Sequence, residues 1–174
     1  GGRLMLRAIV AVDRRWGIGF RGELLFSIPE DQKGVFRAHT IGHTVVLGRK
    51  TLDTFPGQKI LSGRRNLVMT RDEKLVVPGA EMIHSKSEFE DYLKAHSNED
   101  IYVIGGEQIY SLLLPMCDEA VVTFVDDERE ADVFFENLDV STSWRIDEIG
   151  PWIPSVTGLT FRVLKYRNIS KING

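Results

Sequence analysis

The sequence has a single cysteine, Cys117, among its 174 residues, so no disulfide can close within the chain. That suits a reducing compartment, and a cytoplasmic location is the expectation. The histidines, His39, His43, His84 and His96, are scattered, and no Cys, His and acid cluster has metal-ligand spacing; no metal is expected. Charge of neither sign dominates: 22 Lys and Arg face 25 Asp and Glu, a formal net charge of -3. Such a balance gives no footprint for nucleic acid or a membrane surface. No apolar run approaches the ~20 residues of a membrane span. The opening Gly1-Gly2-Arg3-Leu4 has no signal-peptide core. Internal repeats, low-complexity tracts and linker-like stretches are missing as well. The expectation is one domain over residues 1–174, with a core from about 5 to 167, working as a monomer with no obligate protein partner.

What is present is an alternation of short apolar runs with helical segments. Leu6 to Val12, Thr44 to Leu47, Asn66 to Met69, Ala80 to Ile83, Ile101 to Ile104 and Glu119 to Val125 read as strands, most of them buried on both faces. Asp13 to Ile28 reads as a long loop carrying Gly17, Gly19 and Gly22. A helix is predicted from Pro29 to about Ala38, with proline and acids in its first turn. A short helix follows Gly48 and ends near Phe55-Pro56-Gly57. Ser85 and Glu88 have capping-box spacing before a helix over Lys86 to Ala95. Another helix runs from Glu107 to Leu114 and stops at Pro115. Trp144 to Ile149 and Thr160 to Tyr166 read as a closing antiparallel pair, joined by the Pro, Gly and Ser-rich loop Gly150 to Leu159. The predicted fold is α/β and three-layered: a mostly parallel eight-stranded central sheet, helices on both faces and a C-terminal antiparallel hairpin.

Three clusters carry chemistry. Asp31 lies just inside a helix with Leu24, Leu25, Phe26 and Ile28 before it and Val35 and Phe36 one turn after. An acid against such a wall has a raised pKa and suits a protonated nitrogen heterocycle. Gly48-Arg49-Lys50-Thr51 and Ile104-Gly105-Gly106-Glu107 each stand at a strand end and a helix start, where free N–H groups attract phosphate. Together they predict a ligand with separated phosphates across the carboxyl ends of the strands. The ordinary dinucleotide fingerprint is not the vehicle. Gly17, Gly19 and Gly22 spell GxGxxG by letter, but Phe20 to Phe26 does not open a helix.

These pieces, in this order and at this spacing, resemble the dihydrofolate reductase family over nearly all of Met5 to Tyr166. The resemblance rests on the first strand with Ala11, on Gly17-Ile18-Gly19, on Ile28-Pro29-Glu30-Asp31 and on Val46-Leu47-Gly48-Arg49-Lys50-Thr51. It continues through Gly63-Arg64-Arg65-Asn66, Ile104-Gly105-Gly106 with Tyr110, Thr123, and Phe161-Arg162-Val163-Leu164. It implies an enzyme that transfers a hydride from NADPH to dihydrofolate, with N5 of the pterin protonated. Asp31 and Thr123 would hold the pterin edge, and Phe26 would stand at the end of a lid over Arg14 to Phe26. Ile9, Ala11, Gln32, Val35, Phe36 and Phe55 would line the folate pocket, and Arg64 would pair with the carboxylate of the glutamate tail.

The same resemblance implies a cofactor site made of Ala11, Ile18, Gly19, Gly48, Arg49, Lys50, Thr51, Thr70, Arg71, Ile104, Gly105, Gly106, Glu107, Gln108 and Tyr110. Arg49 and Arg71 are the candidates for the 2'-phosphate, and Gly105-Gly106 matches a glycine pair that the family joins by a cis peptide. The chain departs from the family at four places. Leu25-Phe26 stands where Pro-Trp is usual, removing an indole N–H donor. Gln32 follows the acid where an apolar residue is common. The interval from Asp31 to Gly48 is one residue longer, with Gly34 inside it, so Val35 and Phe36 compete for one pocket position. The loop after Thr51 is longer too. Two other functions share these features: a reductase of the same fold acting on a pyrimidine ribitol-phosphate, and a non-catalytic pterin-binding paralogue.

Overall fold

The computed structural model describes residues 4–171. In chain order the elements are β1 (Met5–Val12), β2 (Gly17–Phe20), β3 (Glu23–Leu24), a π-helical stretch Glu30–Phe36 running into α1 (Arg37–Thr40), β4 (Thr44–Gly48) and α2 (Arg49–Asp53). Then come β5 (Arg65–Met69), β6 (Ala80–Ile83), α3 (Lys86–Ala95), β7 (Asp100–Gly105), α4 (Glu107–Leu113), β8 (Glu119–Val125), β9 (Val133–Phe134), β10 (Trp144–Ile149), β11 (Ile153–Pro154) and β12 (Thr160–Asn168).

The main sheet runs β10-β12-β8-β1-β7-β4-β5-β6, with β11 pairing β12 beside this path. The six strands from β8 to β6 are mutually parallel, while β12 and β10 close one edge antiparallel. Alternation along each strand sorts the side chains into two layers. Leu6, Ala8, Val10, Val46, Leu67, Val103 and Val122 join α3 and α4 through Phe89, Tyr92, Tyr110 and Leu113. Ile9, Val45, Leu47, Val68, Tyr102 and Val121 face the other way, onto Leu52 of α2 and onto Val35 and Phe36. The second layer holds the cleft, so the odd-numbered side of β1, with Ile9 and Ala11, points to it.

The predicted loop over Asp13 to Ile28 is in fact part of a second, three-stranded sheet, β3-β2-β9. Arg21 (φ 51) and Gly22 (φ 80) give β2 and β3 the two-residue turn with both central angles positive that matches strand twist. Strands of four and two residues are too short to show a period, and glycines at 17, 19 and 22 mask them. Trp16 plugs the start of this segment into the core: it is 3% exposed and lies 6.2 Å from the Phe135 ring and 5.9 Å from Tyr166. Asp13, fully buried, accepts the N–H groups of Arg15 (2.9 Å), Gly17 (2.8 Å) and Arg129 (3.0 Å).

The helix predicted over Pro29 to Ala38 is present with a different winding. Its first seven residues, Glu30–Phe36, form a π-helix before α1 takes over. A π turn accommodates one extra residue without breaking the helix. The additional residue in the Asp31–Gly48 interval is absorbed here, around exposed Gly34. Ser85 caps α3 as predicted, accepting from the Glu88 N–H at 3.0 Å. The Glu88 carboxylate returns to the N–H of His84, at 2.8 Å, rather than to Ser85 itself.

Candidate active site

Ala11 of β1 and Thr123 of β8 are cross-strand partners near the carboxyl ends of their strands. The π-helical stretch passes over this pair and brings Asp31 down to it. Thr123 Oγ1 donates to Asp31 Oδ1 at 2.6 Å. The hydroxyl is almost wholly buried, the carboxyl half-buried. Burial pushes the Asp31 carboxyl above its ordinary value, while the Thr123 hydrogen bond and the charge of His39 pull against it. A carboxyl held this way accepts N–H donors from a heterocycle and sits closer to neutral pH than a free one. Beneath it, the buried Tyr110 hydroxyl donates to the Ile9 carbonyl at 2.7 Å, and burial holds that phenol far above its usual range.

The structure brings together Ile9, Val35, Phe36 and Phe55 in the layer below Asp31. It does not bring Phe26 into that group. Phe26 is 7% exposed and packs with Leu25, Ile28, Val125 and Phe161 in a separate cluster under the lid. Gln32 is exposed beside Asp31 and is not part of the apolar layer. Val35 lines a surface cavity of about 530 Å³ with His39, Ile149, Gly150 and Val163, on the side of the β10–β12 hairpin. Phe36 packs against the cleft layer together with Val35 and Phe55. Glu30 accepts from Ser155 Oγ (2.8 Å) and the Val156 N–H (2.9 Å), tying the 150–159 loop to the helix start. Those two donors draw its carboxyl below the usual range.

Arg64 is held in place by two neutral acceptors: Nε donates to the Ser62 carbonyl (2.9 Å) and Nη1 to Thr40 Oγ1 (3.2 Å). Among the described residues it has no acidic partner within ion-pair distance. Partial burial and the nearby charge of Arg37 lower its pKa. Arg37, on the first turn of α1, was not singled out in the sequence; its signal was a basic residue six positions after Asp31 on the predicted helix. Two guanidiniums sharing a site without an acid form a place for an anion.

The strand-end glycines converge as the spacing predicts. Gly48 is the N-cap of α2 and Gly106 of α4, and neither helix start carries a side-chain cap. A Cβ on Gly48 would lie 2.9 Å from Ile109 Cγ1, and one on Gly106 would lie 3.1 Å from Thr51 Oγ1. The Gly105–Gly106 peptide is cis, and Gly105 has φ +125, an angle that side chains rarely adopt. Ile18 is buried in the same core cluster as Tyr110 and Trp16. A Cβ at Gly19 would lie a tight 3.2 Å from the Glu23 carbonyl across the β2–β3 turn. Arg49 pairs with Asp53 at 2.9 Å, whereas exposed Arg71 has no acidic partner among the described residues. Thr70 Oγ1 is engaged by the Asp72 N–H at 3.1 Å, and its own N–H by the Ile83 carbonyl at 3.0 Å. Lys50, Glu107 and Gln108 are exposed at the two helix starts, Ala11 and Ile104 half-buried between them and Asp31.

Comparison with known proteins identifies the family. A family model described as dihydrofolate reductase matches residues 5–151. A dihydrofolate reductase of Mycobacterium tuberculosis is 40% identical over 153 residues, covering 86% of this chain and 89% of that protein. One from Neisseria gonorrhoeae is 34% identical over 163 residues, covering 94% and 98%. Among solved structures, a dihydrofolate reductase from Enterococcus faecalis, complexed with NADP(H) and RAB-propyl, superposes with a TM-score of 0.84 at 28% identity, covering 94% of this chain and 96% of that one.

Proposed function

This chain belongs to the dihydrofolate reductase family, and from that premise we infer that it reduces 7,8-dihydrofolate to tetrahydrofolate with NADPH as the hydride donor. The observation that carries the reading is the 2.6 Å bond from Thr123 to Asp31 over the Ala11–Thr123 strand pair. It fixes one carboxyl, raised toward protonation, at the mouth of an apolar cleft. Asp31 accepts from the 2-amino and N3 side of the pterin and favours the N5-protonated substrate, while Thr123 orients the carboxyl. Ile9, Ala11, Phe36 and Phe55 pack against the ring system and exclude water, which strengthens every polar contact inside. Arg64, seconded by Arg37, takes the tail carboxylate.

The glycines at 48, 105 and 106 let the starts of α2 and α4 close on one another, since a Cβ there would meet Ile109, Thr51 or Tyr110, and the uncapped N–H groups of the two helix starts fit a dinucleotide's pyrophosphate. When bound, NADPH supplies the hydride. The residues that would hold it are Gly48, Lys50, Thr51, Gly105, Gly106, Glu107 and Gln108 at the pyrophosphate side. Ile18, Gly19, Ile104 and Tyr110 lie at the nicotinamide side, and Thr70, Arg71 and Arg49 at the adenosine side. Arg71 is the better-placed cation for a 2'-phosphate, because Arg49 is already engaged by Asp53. The protein contributes distance, orientation and dryness.

The experiment follows NADPH oxidation by the purified chain with and without dihydrofolate, beside Asp31→Asn and Arg64→Met. Dihydrofolate-dependent oxidation that collapses with Asp31→Asn supports the reading. For Arg64→Met the expected change is a rise in KM for dihydrofolate with kcat nearly kept, and no change for a pterin lacking the tail. Oxidation that is absent from the folded wild-type chain, or indifferent to Asp31, overturns it.

A further inference from the structure

Leu25-Phe26 is the end of the lid; both side chains pack with Ile28, Val125 and Phe161, but neither offers the locked backbone of a proline or the donor of an indole N–H. The fixing comes from another element. Arg129, in the connection between β8 and β9, places its guanidinium 4.6 Å from the centroid of the Phe26 ring and donates through Nη1 to the Leu25 carbonyl. Its Nε is oriented by Asp127 at 3.0 Å. The same residue's backbone engages the start of the lid: its N–H donates to buried Asp13 at 3.0 Å, and its carbonyl accepts from Arg15 at 3.2 Å. One residue therefore joins both ends of the segment. The turn between β2 and β3 projects into solvent, with Arg21 to Leu24 exposed.

We propose that Arg129 is a positioning residue for the reduction, a latch that sets where the Leu25-Phe26 end of the lid sits over the folate cleft. The proposal rests on the functional reading above. The interaction with an aromatic face and a carbonyl needs a planar, forked cation, so lysine reproduces the charge but not both contacts. Because the guanidinium contacts neither the glycine cradle nor Asp31, its loss acts on lid geometry and leaves the cofactor's pyrophosphate site intact.

The test compares wild type, Arg129→Met, Arg129→Lys and Phe26→Leu by two independent measurements. Amide hydrogen exchange over residues 20–27 of the free protein reads the latch without any reaction; the expectation for Arg129→Met is exchange faster by about tenfold with exchange in α3 unchanged. Single-turnover reduction with deuterated cofactor reads the geometry; the expectation is a step slowed about tenfold or more with an enlarged isotope effect and an unchanged NADPH Kd. Arg129→Lys falls between, and Arg129→Met has a smaller effect once Phe26→Leu is present, because only the bond to the Leu25 carbonyl is then left to lose. Lid exchange and isotope effect both at wild-type values in Arg129→Met overturn the proposal, as does a loss matched by equal destabilisation throughout the chain. A wild-type chain that does not reduce dihydrofolate fails the functional reading alone, and the exchange measurement then still decides whether the latch exists.

Discussion

At the scale of single residues, Asp31 works against the fold in order to serve the site. Its folded pKa is raised by burial, so the folded state prefers the protonated acid. The linkage sign follows: stability present below the ordinary carboxylate pKa of 3.8 is lost as pH rises through the higher folded value. At neutral pH the ionised Asp31 therefore costs stability, and Asp31→Asn should raise Tm by roughly 2–4 °C there. That gain should vanish below about pH 4, which a thermal melt series across pH would show. The same variant should lose roughly 10²–10⁴-fold in kcat/KM. A Tm gain that persists at low pH would assign the effect to packing instead. Thr123 exerts the opposing pull on Asp31. Thr123→Val removes it with little change of volume, so the Asp31 pKa rises further, and the falling alkaline limb of the single-turnover rate should move to higher pH. A limb that stays in place would mean that another group sets it.

At the scale of elements, much was legible because most of the parallel strands of the main sheet announce themselves as apolar runs ended by glycine or polar residues. Thr44 to Gly48 and Ile101 to Gly105 are buried throughout or nearly so, and no loop has that composition. The Gly48 and Gly105-Gly106 turns were legible for the same reason, since each ends such a run. The winding of the first helix was not. The letters from Glu30 to Thr40 fit an α-helix, and only the count of residues between Asp31 and Gly48 hinted at a surplus; whether a surplus becomes a loop or a π turn is decided by the sheet beneath. Here Asp31 is fixed at one end by Thr123 and Thr40 at the other, its hydroxyl bonded to the Phe36 carbonyl at 2.8 Å, so the extra residue is taken up between them. Gly34 sits in that stretch with open space around its Cα and no positive φ. Gly34→Ala should therefore stabilise by about 0.5–1 kcal/mol through the unfolded state, measured by urea unfolding, with kcat unchanged. Destabilisation would show that the π winding needs glycine.

At the scale of the whole molecule, the site depends on two sheets held at a fixed relation, and this was the part the sequence concealed. Asp13 and Trp16 read as loop residues because partners such as Arg129, Phe135 and Tyr166 lie more than a hundred positions away. In the folded chain Asp13 is the joint. Its Oδ1 serves the N–H groups of Arg15 and Gly17, its Oδ2 serves that of Arg129, and no part of it reaches solvent. Close beside it, a Cβ on Gly17 would meet Ala131 Cβ at 2.8 Å, so the two segments approach as nearly as backbone allows. Removing the carboxylate leaves three donors without an acceptor, a cost of about 2–4 kcal/mol. Asp13→Ala should lower Tm by roughly 5–15 °C for a chain of this length. Asp13→Asn, which keeps one carbonyl oxygen for the Arg15 and Gly17 pair, should lie between. Because β8, β1 and β7 do not pass through this joint, the loss should be uneven. At temperatures below the melt the near-ultraviolet signal of Trp16, stacked at the edge of the small sheet, should weaken, and turnover should fall about tenfold or more, while far-ultraviolet ellipticity stays at the wild-type level. If instead all three signals decline together, the two sheets form one cooperative unit and Asp13 stabilises the molecule without setting the lid.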